Sequence, residues 1–94
     1  MLRTRRTENG RVLFTLSGRI ETIEDIEQLE QVLAAETPGR QLVLDLRDVT
    51  LVNEGAVTFL AGCEADSVKL ENCPAYIREW IERTKGRTRL RRTR

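Results

Sequence analysis

The sequence contains no histidine and few aromatic residues, and these two absences remove several kinds of functional site. Histidine is the commonest metal ligand and the usual general base, so its absence argues against both roles. Two cysteines without a histidine cannot form a standard four-ligand zinc site within one chain. Aromatic residues make up 4% of the chain, which argues against a base-stacking platform for single-stranded nucleic acid.

Long apolar runs are also missing. No segment approaches the roughly 20 apolar residues of a membrane span, and Met1-Leu2-Arg3 is not followed by a signal-peptide core. We therefore expect a cytoplasmic protein whose cysteines are reduced. With 94 residues, the chain can bury one modest core, so we expect one domain over 1–84 and a basic C-terminal tail over 85–94.

Charge is distributed unevenly, although the net charge is only +1. Residues 1–11 carry a net charge of +3, and residues 12–84, with six basic and fourteen acidic residues, carry −8. The tail has six cations and no acid: Lys85, Arg87, Arg89, Arg91, Arg92 and Arg94. Such a tail can bind nucleic acid or an anionic membrane surface, fold back on the acidic body, or remain solvated, which is the commonest case.

The apolar pattern predicts an α/β fold, a mixed β-sheet with helices packed on it in the order β-β-α-β-α-β-α. Strands are predicted at about 2–6, 11–17, 41–46 and 68–70, with Gly18 ending the second and an extended link over 48–52. Helices are predicted at about 22–35, 54–66 and 74–84, the last ending at Thr84-Lys85-Gly86. Thr22 and Asn53 are the expected N-caps, and Ile23 and either Tyr76 or Ile77 are assigned to buried helix faces.

Chemical motifs of enzymes are missing from the chain. It shows no nucleophile–base pair and no glycine-rich phosphate-binding motif, so we expect neither catalysis nor a cofactor. Asp45 interrupts an apolar strand, and we expect it to have a structural role, either at the exposed end of the strand or hydrogen-bonded to the following loop. Cys63 is expected to pack as a small hydrophobe. Cys73 is a candidate reactive thiol, because a helix N-terminus can lower a thiol pKa; the simpler interpretation is a packed helix start before Pro74.

Residues 42–56 read LVLDLRDVTLVNEGA and resemble a STAS domain, the family of bacterial anti-anti-sigma factors (anti-sigma factor antagonists). That family has a buried strand ending in a similar L-D-L triplet, followed by a loop of the form Asp-Ser-Ser/Thr-Gly that opens a helix. Residues 16–20 fit the end of the family's second strand, and the resemblance covers about 2–84. It implies a partner-binding loop that contains Val52, Asn53, Glu54, Gly55, Ala56 and Thr58.

The chain departs from the family at the residue that is phosphorylated there by a partner kinase. Gly55 stands in that position and has no hydroxyl, so it is a degenerate phosphosite. Glu54 replaces the preceding hydroxyl residue and places a carboxylate near the helix N-terminus, which stabilises a helix by about 0.3–1 kcal/mol. The alternative interpretation, that this carboxylate partly mimics the phosphorylated state, is less favoured because it carries one charge and precedes the phosphorylated position. Thr50 and Thr58 are the nearest hydroxyl residues that remain.

The resemblance implies transcription regulation by signalling through protein–protein interaction, with an anti-sigma factor or a related regulator of kinase fold as the partner. Two alternatives remain open at this point. The first is an accessory subunit of an ABC lipid transporter, a role that other STAS-like proteins have. The second is non-specific binding of nucleic acid or an anionic surface through the tail. The edge strand at 2–6 and the small core also make a homodimer plausible.

Overall fold

The computed structural model describes the backbone of residues 2–92 and the side chains of residues 2–86, and it confirms the predicted order of elements. The chain forms β1 (Leu2–Glu8), β2 (Val12–Ile20), α1 (Ile23–Ala34), β3 (Leu42–Val52), α2 (Glu54–Ala65), β4 (Lys69–Glu71) and α3 (Ala75–Arg92). The fold is therefore mixed α/β, as the apolar periodicity predicts.

The four strands form one mixed sheet in the order β1-β2-β3-β4. β1 and β2 are antiparallel, and the turn between them contains Gly10 at φ +78°, a conformation that favours glycine. β2, β3 and β4 run parallel, so their carboxyl ends all point toward the same edge of the sheet. We call the segments that follow or end these strands, residues 20–24, 50–58 and 72–76, the carboxyl edge.

One apolar core lies between the sheet and the helices. Val12, Phe14 and Leu16 alternate along β2 and are at most 1% exposed, so one face of this strand is fully buried. The same cluster takes residues from all three helices: Leu29 of α1; Ala56, Val57, Leu60, Ala61 and Cys63 of α2; Ile77 and Ile81 of α3. The three helices therefore pack on one face of the sheet.

β3 is a single strand where the sequence predicts a shorter strand and a link. Its pairing with β2 shifts at two places, and each shift adds one residue to β3. Such bulges rotate the side chains that follow them. As a result Leu46, Val49 and Val52 are all buried although they are three residues apart, where a regular strand would bury every second residue. Leu51 is exposed.

Asp45 stabilises the first of these shifts. Its Oδ1 accepts a hydrogen bond from the backbone N–H of Arg47 at 3.0 Å and another from Asn72 Nδ2 at 3.2 Å. The backbone donor that the bulge frees from strand pairing thus keeps a partner. The carboxylate also links β3 to the segment that follows β4, which agrees with the local structural role predicted for it.

Two predicted element ends are wrong. β2 does not end at Gly18 but continues to Ile20, with Gly18 at φ +95° beside the second pairing shift. α3 does not end at Thr84-Lys85-Gly86, since its backbone stays helical to Arg92. The division of the chain into 1–84 and a tail remains a prediction, and Arg94 lies outside the described residues.

Replacing Asp45 with alanine should lower the free energy of unfolding by about 1–2 kcal/mol, because the Arg47 N–H loses its acceptor. Asp48→Ala is the matched control, since Asp48 is exposed and lies in the same strand. Its effect should stay within about 0.5 kcal/mol. Urea denaturation of both variants measures the difference, and equal losses would remove this role from Asp45.

Candidate functional site

The connection between β3 and α2 lies at the carboxyl edge, and Asn53 in it stabilises the local structure through two hydrogen bonds. The side chain of Asn53 accepts a hydrogen bond from the Ala56 N–H at 2.9 Å, as an N-cap does. Its Nδ2 also donates to the carbonyl oxygen of Glu21 at 2.5 Å. Asn53 therefore joins the start of α2 to the segment that leaves β2, and its predicted capping role is confirmed.

The six residues predicted to form the loop site divide into two groups. Val52 and Ala56 are buried in the core at 5% and 0% exposure, and Asn53 is occupied by its two hydrogen bonds. Glu54, Gly55 and Thr58 are exposed. Asn53 is exposed as well, so Val52 and Ala56 are the two residues of the six that burial removes from direct contact with a partner.

Glycine at position 55 is not required by packing. A Cβ built there would lie 3.4 Å from Ile26 Cδ1 and 3.6 Å from Asn53 Oδ1, which are ordinary contact distances. The residue does not have a positive φ angle, so an L-amino acid is accommodated without backbone strain. The missing hydroxyl is therefore a chemical property of this site and not a consequence of crowding.

Thr50 has a structural contact that Thr58 lacks. Its hydroxyl donates to the carbonyl oxygen of Gly18 at 3.1 Å, across the second pairing shift. Its own carbonyl oxygen accepts a hydrogen bond from the hydroxyl of Tyr76 at 3.3 Å. Thr50 thus connects β2, β3 and the start of α3, and modification of its hydroxyl would break the first contact.

Three exposed apolar side chains belong to the segments of the carboxyl edge, and the sequence pattern does not identify them as exposed. Ile23, Leu51 and Tyr76 are 70%, 43% and 48% exposed and are the exposed large hydrophobic residues within residues 2–86. All three lie at the carboxyl edge: Ile23 opens α1, Leu51 lies near the end of β3, and Tyr76 is in the first turn of α3. The assignment of Ile23 to a buried helix face is wrong, and of Tyr76 and Ile77 only Ile77 is buried.

A cavity lies at the opposite end of the strands, where β3 and β4 begin. It is open, has a volume of about 360 Å³ and is lined by Gly39, Arg40, Gln41, Leu42, Asp66, Ser67 and Val68. Gln41 Nε2 donates to the carbonyl oxygen of Ser67 across it at 3.2 Å. Since β2, β3 and β4 run parallel, this cavity and the carboxyl edge are at opposite ends of the strands.

Neither cysteine has the environment of an activated thiol. Cys63 is buried in the core, and burial raises the pKa of its thiol to about 12. Cys73 is half-buried against the core, and burial raises the pKa of its thiol as well. Burial of Cys73 favours the interpretation of a packed helix start before Pro74, and the reactive thiol stays a prediction.

The basic segment begins in contact with the body of the protein. Glu64 of α2 accepts two hydrogen bonds from Arg78, at 2.6 and 2.9 Å, and one from Lys85 Nζ at 2.5 Å. Arg78 also pairs with Glu82 one turn along α3. We call Glu64, Arg78 and Lys85 the α2–α3 ion cluster. The bonds from Arg78 and then Lys85 lower the pKa of Glu64 to about 2.

Among the side chains that the structure describes, no group of three or more cysteine, aspartate or glutamate residues is placed to hold a metal ion. None of the described helices combines the length and the apolar character needed to cross a membrane.

No protein-family model matches the chain, and no curated protein matches it in sequence. Among solved structures, that of Mglu resembles 72% of this chain with 26% identity and a TM-score of 0.52. Another is an uncharacterized DUF3478-family protein with a SpoIIAA-like fold from Shewanella loihica PV-4, which matches 69% of this chain with 19% identity and a TM-score of 0.45. The matches cover 18% and 57% of those two proteins, so this chain spans about a fifth of the first and just over half of the second.

Replacing Glu64 with glutamine should destabilise the protein at pH 7, because Arg78 and Lys85 lose a half-buried carboxylate. The lowered pKa sets an upper limit of about 3 kcal/mol on the loss. The group is charged in the unfolded chain above its ordinary pKa, so its contribution is complete above about pH 4.5. It is lost as the pH falls through the folded value of about 2, so the gap between the two proteins should close on acidification.

Glu79→Gln is the matched control, because Glu79 is an exposed glutamate of α3 that lies outside the ion cluster. Its effect should stay within about 0.5 kcal/mol at every pH. Urea denaturation curves of the three proteins from neutral to acidic pH measure the gap. A Glu64→Gln deficit that stays constant down to the lowest pH would contradict the assigned charge state.

Proposed function

We propose that the chain is a non-enzymatic, STAS-like interaction module that binds a partner protein through the carboxyl edge. One observation carries the proposal: Ile23, Leu51 and Tyr76 are all exposed, and each belongs to one of the three segments that form the carboxyl edge. Single exposed apolar residues are ordinary on a protein surface. Three at one edge, flanked by polar groups, have the composition of a protein-binding patch.

The scaffold under this patch is well suited to docking. The side chains of Thr50 and Asn53 donate hydrogen bonds to the carbonyl oxygens of Gly18 in β2 and of Glu21 just after it. Ala56 and Val52 anchor the loop in the core. A surface held in this way loses little conformational entropy when a partner binds. The sequence resemblance to anti-sigma factor antagonists supports an anti-sigma factor, or a related regulator with a kinase fold, as the partner. In that family the loop at the same position is the site of partner binding and phosphorylation.

Regulation of this module differs from that of the family it resembles. Gly55 offers no hydroxyl, and its surroundings would accept a larger residue, so phosphorylation does not act at this position. The charge near the start of α2 is instead the permanent carboxylate of Glu54. We infer that binding is controlled by the abundance of the partner or by another signal.

The test uses the tagged full-length chain to capture proteins from the cells in which its gene occurs. The double variant Ile23→Ser/Leu51→Thr removes apolar surface from the carboxyl edge and keeps Asn53 and its hydrogen bonds. Because hot-spot residues supply most of the binding energy, captured partner should fall at least about tenfold. Mass spectrometry should identify that partner as a regulatory protein of kinase fold.

Leu13→Thr is the matched control, because Leu13 is a partly exposed strand residue whose neighbours in β2 point into the core. It should retain the partner, and circular dichroism should show that all three proteins are folded. Capture that is equal on the wild type and the double variant would exclude this edge as the interface. If no protein is captured by the wild type above a tag-only control, the interaction function itself is wrong.

A further inference from the structure

One face of the β-sheet carries no helix in the part of the chain that the structure describes. Phe14 and Leu16 of β2 belong to the core cluster to which all three helices contribute. Because side chains alternate along a strand, Leu13 and Thr15 point to the opposite face. Val43 is paired with Leu13 and is fully buried, yet it is not part of the core cluster, so it lies on that opposite face too.

Strand register arranges the side chains of this opposite face in rows that cross the sheet from β1 to β4. The first row contains Thr7, Leu13, Val43 and Lys69. The second row contains Arg5, Thr15, Asp45 and Glu71. We call the residues of these two rows the open face. Its first row is apolar at the centre, and its second row has a cation on β1 and acids on β3 and β4.

The charges of the second row differ in how far the chain itself satisfies them. Asp45 is occupied by two hydrogen bonds within its own chain, and Glu71 pairs with Arg11 at 3.2 Å. Arg5 is exposed and makes no ion pair within residues 2–86. The row therefore presents an unpaired cation at one edge of the sheet and carboxylate oxygens toward the other.

We propose that two copies of this chain dimerise by packing their open faces together around a twofold axis parallel to the strands. Such an axis exchanges the two edges of the sheet, so that β1 lies over β4 of the second copy and β2 lies over β3. Each row then stays opposite the same row of the other copy. The facing pairs become Arg5 with Glu71, Leu13 with Val43, Thr7 with Lys69 and Thr15 with Asp45, and none of them joins like charges.

Other symmetric arrangements of two sheets bring like charges together. A twofold axis that lies across the strands would place β1 over β1 and would bring Arg3 and Arg5 of the two copies close to each other. Edge-to-edge pairing of β1 with its copy would concentrate Arg3, Arg5 and Arg6 of both chains in one pair of strands. The charge pattern therefore favours the axis parallel to the strands.

The size of the open face sets the strength of association that we expect. Four strands about 4.8 Å apart, over about five residues each, cover roughly 300 Å² per copy. An interface of this size is at the small end for specific contacts, so the dissociation constant should be micromolar and not nanomolar. No residue of the open face belongs to the carboxyl edge, and the dimer does not rest on the partner-binding function proposed above.

Sedimentation equilibrium of the full-length chain from about 10 µM to about 1 mM tests the dimer, and the wild type should shift from monomer to dimer over this range. Arg5→Glu and Glu71→Arg each place like charges opposite one another twice in the symmetric dimer. Each should therefore weaken dimerisation at least about tenfold. The matched controls are Arg83→Glu of α3 and Glu27→Arg of α1, exposed positions where the same changes of charge should alter affinity less than about threefold.

A mixture of the Arg5→Glu and Glu71→Arg chains separates contacts between copies from contacts within one chain. In their heterodimer both facing pairs again join opposite charges, so affinity should return to within about threefold of the wild type. This recovery cannot arise within one chain, because each chain keeps its single change. Leu13→Glu is a second disrupting variant that leaves β4 intact, and it should also weaken dimerisation at least about tenfold. Circular dichroism checks that every variant is folded.

Two results would overturn the proposal. The first is a wild type that stays monomeric at about 1 mM. Reduced capture of the partner protein by the Arg5→Glu chain would then assign the open face to that protein. The second is a wild type that dimerises while the mixture of folded single variants does not recover, which would place the interface elsewhere.

Discussion

The two pairing shifts between β2 and β3 are the constraint on which the rest of this structure depends. They let Leu46, Val49 and Val52 enter the same core although no simple alternation links them. They also free backbone groups, which Asp45 and Thr50 satisfy with their side chains. Without them the end of β3 would present the wrong side chains to the core, and the loop before α2 would not be anchored.

The same shifts produce the surface to which we assign function. Because β3 rotates at the second shift, Leu51 faces outward between two buried valines. Tyr76 is held beside it by its hydrogen bond to the Thr50 carbonyl oxygen. Ile23 reaches the same edge because Asn53 binds the Glu21 carbonyl oxygen just before α1. The exposed apolar residues are thus positioned by polar contacts that the fold requires for its own stability.

Whether the sequence predicts a feature of this fold depends on how far apart in the chain the interacting residues are. The caps at Thr22 and Asn53 and the alternation along β2 depend on near neighbours, and the structure confirms them. Gly18 is typical of a strand end by sequence alone, yet here it accommodates a pairing shift that depends on Val49 of β3, 31 residues further along the chain. The exposure of Leu51 depends on the same long-range register, which local patterns do not contain.

Hydrogen–deuterium exchange of the chain with and without its captured partner locates the surface that binds the partner. Partner binding should slow exchange in residues 20–24, 50–58 and 75–77 and leave exchange in β1 and in residues 13–17 of β2 unchanged. Protection confined to β1 or to the cavity at residues 39–42 and 66–68 would contradict the carboxyl edge as the protein-binding surface.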